Sequence, residues 1–194
     1  QELAQNDSLG TLKLVRGSFS FVLSHEGDVR LDPTMGGGSI WDVGCYPISY
    51  ARSVVGENPL EVFGWQVAGP TGIDETFVGQ MRFDHDVHAQ FDCSFAIPLH
   101  WFMEIVGSEG TLNIPSPFKP ETDEKIYLTR GDKTETIKIK GQELYIGEVE
   151  DMADAILLGR EPRISFDDSR ANVAVISALL ESARSGKSVS INYS

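Results

Sequence analysis

Between residues 10 and 110 apolar and polar positions alternate with a period of two, the pattern of strands that bury one face. Val15, Phe19, Phe21 and Leu23 share one side of the first run, Phe63, Trp65 and Val67 one side of the second, and Phe77, Met81 and Phe83 one side of the third. The fourth run is the clearest, with Ala89, Phe91, Cys93, Phe95 and Ile97 opposed to Gln90, Asp92 and Ser94. A fifth covers residues 100–106 after Pro98. The connections between successive runs, such as Asp84-His85-Asp86, are too short for a crossover, so neighbours pair antiparallel. Residues 125–130 and 134–140 predict a hairpin around Gly131-Asp132, and the exposed alternation of Thr136 and Lys138 with Ile137 and Ile139 places it at a sheet edge.

One long insertion, residues 30–59, interrupts the strands. It predicts a helix introduced by Gly36-Gly37-Gly38-Ser39 and ending near Gly56, with Pro59 just beyond. Pro47 falls in the middle of that helix, where a missing N–H predicts a kink or a restart. The last quarter changes period. Val149, Met152, Ala153, Ile156 and Leu157 follow helical spacing up to Gly159 and Pro162. A second helix starts around residues 165–168, carries Val173, Ile176, Leu180 and Ala183 as its stripe, and stops at Gly186 behind Arg184. Residues 188–193 return to strand, and residues 1–6 read as the last turns of a helix that begins upstream, which predicts a longer protein. The order of elements specifies an α+β fold, an open, predominantly antiparallel β-sheet with helices packed on one face. No repeat or linker divides the chain, so residues 1–194 form a single domain. With helices on one side only, the Phe- and Trp-bearing alternation on the other requires a partner sheet and predicts a homo-oligomer.

Sixteen basic residues stand against 29 acidic ones, giving a net charge of −13 and a pI near 4.6. That balance argues against nucleic acid and anionic membranes as partners. The two cysteines, Cys45 and Cys93, form no disulfide framework and lack a zinc-binding spacing, and no apolar run approaches a membrane span of about 18 residues. These features predict a cytoplasmic protein with reduced thiols.

The Gly36-Gly37-Gly38-Ser39-Ile40-Trp41 turn precedes a helix, where N–H groups and the helix dipole attract anions. It is neither a GxGxxG dinucleotide turn, because Trp41 takes the last glycine's place, nor a Walker loop. The other reading is a tight entry to the helix. Asp42 and Tyr46, four apart, share a helix face and can converge on one substrate. A tyrosine beside a carboxylate relays a proton if its pKa is lowered or if its proton hydrogen-bonds the reacting atom. Against this stands a capping box, Ser39-x-x-Asp42, with Tyr46 as a packing residue. Asp84, His85, Asp86 and His88 carry metal-ligating groups, yet at a hairpin tip such residues are turn formers, so no metal site is assigned. Arg30 and Asp32 either line a pocket mouth or form a surface ion pair, and Cys45 reads as a small buried residue.

Residues 30–46, Arg30-Leu-Asp-Pro-Thr-Met-Gly-Gly-Gly-Ser-Ile-Trp-Asp-Val-Gly-Cys-Tyr46, with Ala51-Arg52-Ser53 and Gly56-Glu-Asn-Pro59, closely resemble the C-terminal domain of the Gfo/Idh/MocA oxidoreductases. Residues 148–156, Gly159-Arg-Glu-Pro162, Asp168-Ser-Arg-Ala-Asn172 and Ser182-Ala-Arg-Ser-Gly186 resemble that family's closing helices. The resemblance implies a substrate-binding and dimerisation domain of an enzyme that moves hydride between NAD or NADP and a sugar, polyol or related diol. It also implies a separate N-terminal Rossmann domain, about 100 to 150 residues, which holds the nicotinamide cofactor and supplies a catalytic lysine. Residues 1–194 contain no such domain, so this fragment alone is expected to be inactive.

The family's D-x-x-x-H/Y pattern falls on Asp42 and Tyr46, and tyrosine at the second place resembles the glucose-fructose oxidoreductase and dihydrodiol dehydrogenase branch. In that reading Tyr46 exchanges the hydroxyl proton, Asp42 orients it or a substrate hydroxyl, and Gly36, Gly37 and Gly38 let the backbone pass close to the substrate and cofactor, with Arg30 facing the same cleft. The alternative is a non-catalytic module that keeps the fold to bind a small polyol or to assemble with a partner.

Overall fold

A computed structural model describes residues 8–24 and 27–193, and the expected helix end at residues 1–6 lies outside them. The described strands are β1 (Leu12–Ser20), β2 (Glu61–Ala68), β3 (Asp74–Arg82), β4 (His88–Ser94), β5 (His100–Gly107), β6 (Thr111–Ile114), β7 (Asp123–Arg130), β8 (Lys133–Lys140) and β9 (Val189–Ser190). They form one open sheet in the order β8-β7-β6-β5-β1-β4-β3-β2-β9. Pairing is antiparallel throughout except between β1 and β4, where Val15 lies opposite Ala89 and Phe19 opposite Cys93. The parallel pair has a topological cause. The insertion after β1 carries the chain to the far side of the sheet, and the β2–β3–β4 meander returns it beside β1 with its direction restored.

Among the described residues three α-helices accompany the sheet: α1 (Cys45–Val55), α2 (Ile146–Leu158) and α3 (Phe166–Ser185). α1 and α3 cover one face, where Val15, Phe19, Phe77, Met81, Ala89, Phe91, Cys93, Met103 and Ile105 are buried. The other face is open. The β7–β8 hairpin occupies the sheet edge, as its exposed alternation predicts.

Several expectations change in detail. On β2 the buried positions are Val62 and Gly64, while Trp65 and Val67 stand 58% and 63% exposed on the open face. Ile97 lies beyond the end of β4 and is exposed. The buried stripe of α3 is Ala171, Val175, Ile176, Ala178, Leu179 and Ser182, rotated from the expected one, and Val173 is exposed. The small side chains at 171, 178 and 182 let the helix lie close to β2, where the Gly64 N–H donates to Ser182 Oγ at 3.1 Å. The Ser182 hydroxyl donates in turn to the Lys187 carbonyl at 2.6 Å, so this buried hydroxyl both accepts and donates. Only Val189 and Ser190 of the final run form ladder pairs, with β2. α2 has the expected span and stops at Gly159, but none of its residues is buried.

The insertion is less regular than a single helix. Asp28 and Asp32 each cap a short 3-10 turn, Val29–Leu31 and Pro33–Met35, before the chain enters a π-helical turn, Ile40–Gly44, that runs into α1. Pro47 therefore sits in the first turn of α1 and is tolerated there. Its missing N–H would have bonded the Val43 carbonyl in an uninterrupted α-helix, and the widened π turn lies immediately before it. α1 ends at Gly56, with φ 80° at the cap.

Candidate functional site

The site is built on the π turn and the first turn of α1. Asp42 lies in the π turn and Tyr46 is the second residue of α1, so both are at the helix's entrance end over the C-terminal part of β1. Tyr46 stands edge-on to Phe19 of β1, with ring centroids 5.4 Å apart, and tilted against Phe118 at 5.7 Å. Phe19 stacks on Phe118 at 4.9 Å and meets Trp101 of β5 edge-on at 5.5 Å. Tyr46 thus projects from an aromatic floor and remains 47% exposed. Burial chiefly raises its pKa, with the surrounding Cys45, Tyr145, Asp42 and Glu148 adding to the rise. The phenol therefore keeps its proton at neutral pH, which suits a donor to a developing alkoxide rather than a resting phenolate. Tyr145, at the N-cap of α2, holds a left-handed backbone at φ 73°, uncommon for an aromatic residue. Tyr145 and Glu148 also line a cleft of about 470 Å³ between α2 and the β7–β8 hairpin, together with Ile139 and Leu144.

Asp42 does not form the expected capping box. The Ser39 hydroxyl instead donates to Asp74 Oδ2 at 2.8 Å, and no side-chain cap holds the π turn from within. The Asp42 carboxylate accepts from Arg30 Nε at 3.0 Å, while Arg30 Nη1 donates to Asp28 at 3.2 Å. The hydrogen bond from Arg30 to Asp42 is the main reason the guanidinium pKa is raised. The expected pairing of Arg30 with Asp32 is replaced, because Asp32 accepts from the Thr34 N–H at 2.8 Å and from its hydroxyl at 2.7 Å. Among the described residues no side-chain hydrogen bond joins the Asp42 carboxylate to the Tyr46 phenol. The two share the site through proximity, with Arg30 holding the carboxylate at its rim.

Gly37 and Gly38 have internal reasons for being glycine. The Gly37 N–H donates to the Asp32 carbonyl and the Gly38 N–H to the Arg30 carbonyl, both at 2.9 Å, and a side chain at 37 would meet the Arg30 carbonyl at 2.5 Å. Gly38 has φ 131° and faces Asp74 Oδ1 where a Cβ would stand. The position in which a helix entrance receives a phosphate is therefore taken by this protein's own carboxylate, Asp74. The Gly-rich turn does not fit a dinucleotide pyrophosphate, and no dinucleotide cradle is built from it.

The remaining sequence candidates sit elsewhere. His85 and Asp86 adopt φ 53° and 57° in the tight β3–β4 turn, and Asp84 accepts from the His85 N–H at 2.8 Å. No group of His, Cys, Asp or Glu suited to a metal ion occurs among the described residues. Cys45 and Cys93 are both free; burial raises the Cys45 thiol to about 11 and pushes the Cys93 thiol further up. No helix among the described residues is long and apolar enough to cross a membrane. Periodicity did not reveal Asp74, Phe118 or Arg52. Phe118 lies in an irregular segment between Pro117 and Pro120, and Asp74 follows a glycine turn at the very start of β3.

A family model for the GFO/IDH/MocA C-terminal domain matches residues 1–113. The chain belongs to the GFO/IDH/MocA family. It is 31% identical over 189 residues to D-xylose 1-dehydrogenase (NADP(+)) 2 of Haloferax volcanii, an alignment covering 95% of this chain and 58% of that protein. It is 35% identical over 116 residues to the trans-1,2-dihydrobenzene-1,2-diol dehydrogenase of Danio rerio, covering 59% of this chain and 34% of that one. The chain thus spans little more than half the length of the first of these relatives. Its fold matches that of aldose-aldose oxidoreductase from Caulobacter crescentus, solved with glycerol, with a TM-score of 0.88 over 97% of this chain and 58% of that chain at 22% identity.

Proposed function

We propose that this GFO/IDH/MocA chain is the substrate-binding and oligomerising part of an NAD(P)-dependent oxidoreductase acting on a sugar, polyol or related diol. The observation that carries the proposal is the half-exposed Tyr46 phenol, set on an aromatic floor beside the Arg30-held Asp42 carboxylate. Aromatic faces suit the C–H surface of a sugar ring, and the polar rim suits its hydroxyls. The names of the relatives, a xylose dehydrogenase and a dihydrodiol dehydrogenase, favour the same substrate class. In the direction of reduction the substrate carbonyl oxygen takes the Tyr46 proton as its carbon takes hydride; in oxidation both moves reverse. NAD or NADP supplies that hydride chemistry, and NADP is favoured by the name of the xylose dehydrogenase. The cofactor is held mainly by a separate N-terminal dinucleotide-binding domain, since the Gly-rich turn here is filled by Asp74. Asp42 and Arg30 orient a substrate hydroxyl, and the tight turn at Gly37 and Gly38 brings Arg30 to the rim.

Trp65, Val67 and Val78, exposed together on the open sheet face, support assembly of two copies through that face. The two free thiols support a cytoplasmic location.

The test is Tyr46→Phe in the full-length protein, assayed with NADP(H) against aldoses and diols. Turnover should fall by about 10²- to 10⁴-fold with the circular dichroism spectrum unchanged. Unchanged turnover removes Tyr46 from the chemistry and favours a binding module that merely keeps the fold.

A further inference from the structure

A buried carboxylate at the entrance of the site helix has no part in the proton transfer above. Asp74, the first residue of β3, is 4% exposed. Its Oδ2 accepts from the Ser39 hydroxyl at 2.8 Å and from the Ile40 N–H at 2.7 Å. Ser39 is itself fully buried, and Cys93 Sγ lies 3.5 Å from its hydroxyl. On the other side of the carboxylate, Gly38 leaves the space in which Oδ1 sits. Three consecutive residues of the insertion are thus shaped around one side chain 34 to 36 positions away: Gly38 by lacking a Cβ, Ser39 by its hydroxyl, Ile40 by its N–H.

We propose that Asp74 is a positioning residue, which fixes the start of the π turn against β3 and thereby sets where Asp42 and Tyr46 stand over the aromatic floor. The inference rests on the catalytic reading of Tyr46. A neutral serine or asparagine suffices for an ordinary helix cap. Here the capping group is a carboxylate whose burial raises its pKa, so the chain retains an ionisable group where its charge is unfavourable. What a cap from another element adds is a fixed position. Ser39 makes no side-chain cap to its own helix, so the anchor runs to the sheet rather than along the insertion. Asp42 follows Ile40 by two residues and Tyr46 by six, so a small rotation at the anchor is carried directly to the phenol. A displacement of about 1 Å at a reacting group lowers turnover by about 10²-fold.

The experiment compares Asp74→Ala, Ser39→Ala, Ser39→Thr and Tyr46→Phe in the full-length protein, using D-xylose with NADP(H) as the probe. In parallel, amide exchange at Ile40 and Asp42 gives a readout that needs no substrate. Asp74→Ala, which removes the acceptor of both anchoring bonds, should lower kcat by about 10- to 100-fold with KM changed less than about threefold. Exchange at Ile40 and Asp42 should quicken by about tenfold or more while the β3 and β4 amides keep their protection. Ser39→Ala should reproduce a part of both effects and Ser39→Thr, which keeps the hydroxyl, should restore them. Should Asp74→Ala not fold, the Ser39 pair carries the comparison. Wild-type kcat and exchange in Asp74→Ala, beside an inactive Tyr46→Phe, overturn the inference alone. Exchange accelerated equally across the whole sheet also overturns it, since that marks general destabilisation. A fully active Tyr46→Phe overturns the catalytic reading instead, and the local exchange result then still decides whether Asp74 anchors the turn.

Discussion

Replacing Arg52 should be among the most damaging single changes to stability outside the apolar core. Arg52 lies in the last turn of α1, 6% exposed, and its guanidinium reaches three partners on two other segments. Nε donates to Asn58 Oδ1 at 2.9 Å, Nη1 to Asn172 Oδ1 at 3.2 Å and Nη2 to Asp168 Oδ1 at 2.9 Å. The first lies in the loop before β2 and the other two on α3. Truncation to alanine removes three hydrogen bonds made by a charged donor and leaves two amide oxygens without their partner. Losing one member of a buried ion pair costs about 3 to 5 kcal/mol. The Asp168 side chain is 42% exposed and recovers water when its partner leaves, so the lower end applies. We expect about 3 kcal/mol for Arg52→Ala, which for a protein of this size lowers Tm by about 6 to 12 °C. Arg52→Lys keeps the charge but not the three-way fork and should lose about half as much. Asp168→Asn and Asn172→Ala should each cost about 1 kcal/mol. The assay is urea unfolding followed by tryptophan fluorescence, with the m-value checked for constancy. The reasoning fails if Arg52→Ala stays within about 1 kcal/mol of the parent, or if Asp168→Asn is as costly as Arg52→Ala; either would mean that the guanidinium is not the node joining α1 to α3.

The Tyr193 hydroxyl donates to the Pro59 carbonyl at 2.7 Å, and burial, the leading cause, raises its pKa to about 12. A folded-state value above the unfolded one of about 10 means the stabilisation is complete below pH 10 and disappears as pH climbs toward 12; Tyr193→Phe should flatten that alkaline loss, and an unaltered slope in a pH-jump unfolding series would contradict it. Neither Cys45, with its thiol raised to about 11, nor the buried Cys93 should react with iodoacetamide at pH 7.5 until the protein unfolds, as mass spectrometry of the alkylated protein will show. Trp65→Asp on the open sheet face should reduce self-association measured by light scattering, with little change in Tm, whereas the same mass for both proteins would assign assembly to another surface.

The strands were readable because a half-buried sheet imposes a period of two, and the run from Ala89 to Phe95 has no competing helical reading. The rotation of α3 was not readable. Both Val173 and Val175 continue an apolar stripe, and the choice between them depends on where Gly64 and Ser182 let the helix approach β2. The site divides the same way. That Asp42 and Tyr46, on which the proposed site rests, lie in one short segment follows from their spacing, but the partner of Arg30 depends on how residues 28–42 fold back on themselves. Phe118 joins the aromatic floor from a proline-bounded segment that has no period at all.

The stretches that carried the resemblance meet in the fold, which explains why they occur together in one chain. Arg52 in the first closes on Asp168 and Asn172 in the last, 116 and 120 residues away. At the other end of the same helical segment, Gly38 and Ser39 close on Asp74. The segment that presents Asp42 and Tyr46 is therefore held at both ends by a buried ionisable side chain, a carboxyl from β3 at its entrance and its own guanidinium at its exit. The guanidinium's place agrees with the helix dipole, which favours a cation at the C-terminal end. Gly38, Ser39 and Arg52 of the resembling stretch are thus engaged with partners inside the domain. A Gly-rich turn followed by a helix looks from sequence like a place for a phosphate. In this domain the anion is internal, and the freedom of the glycines is used to fit the turn around it.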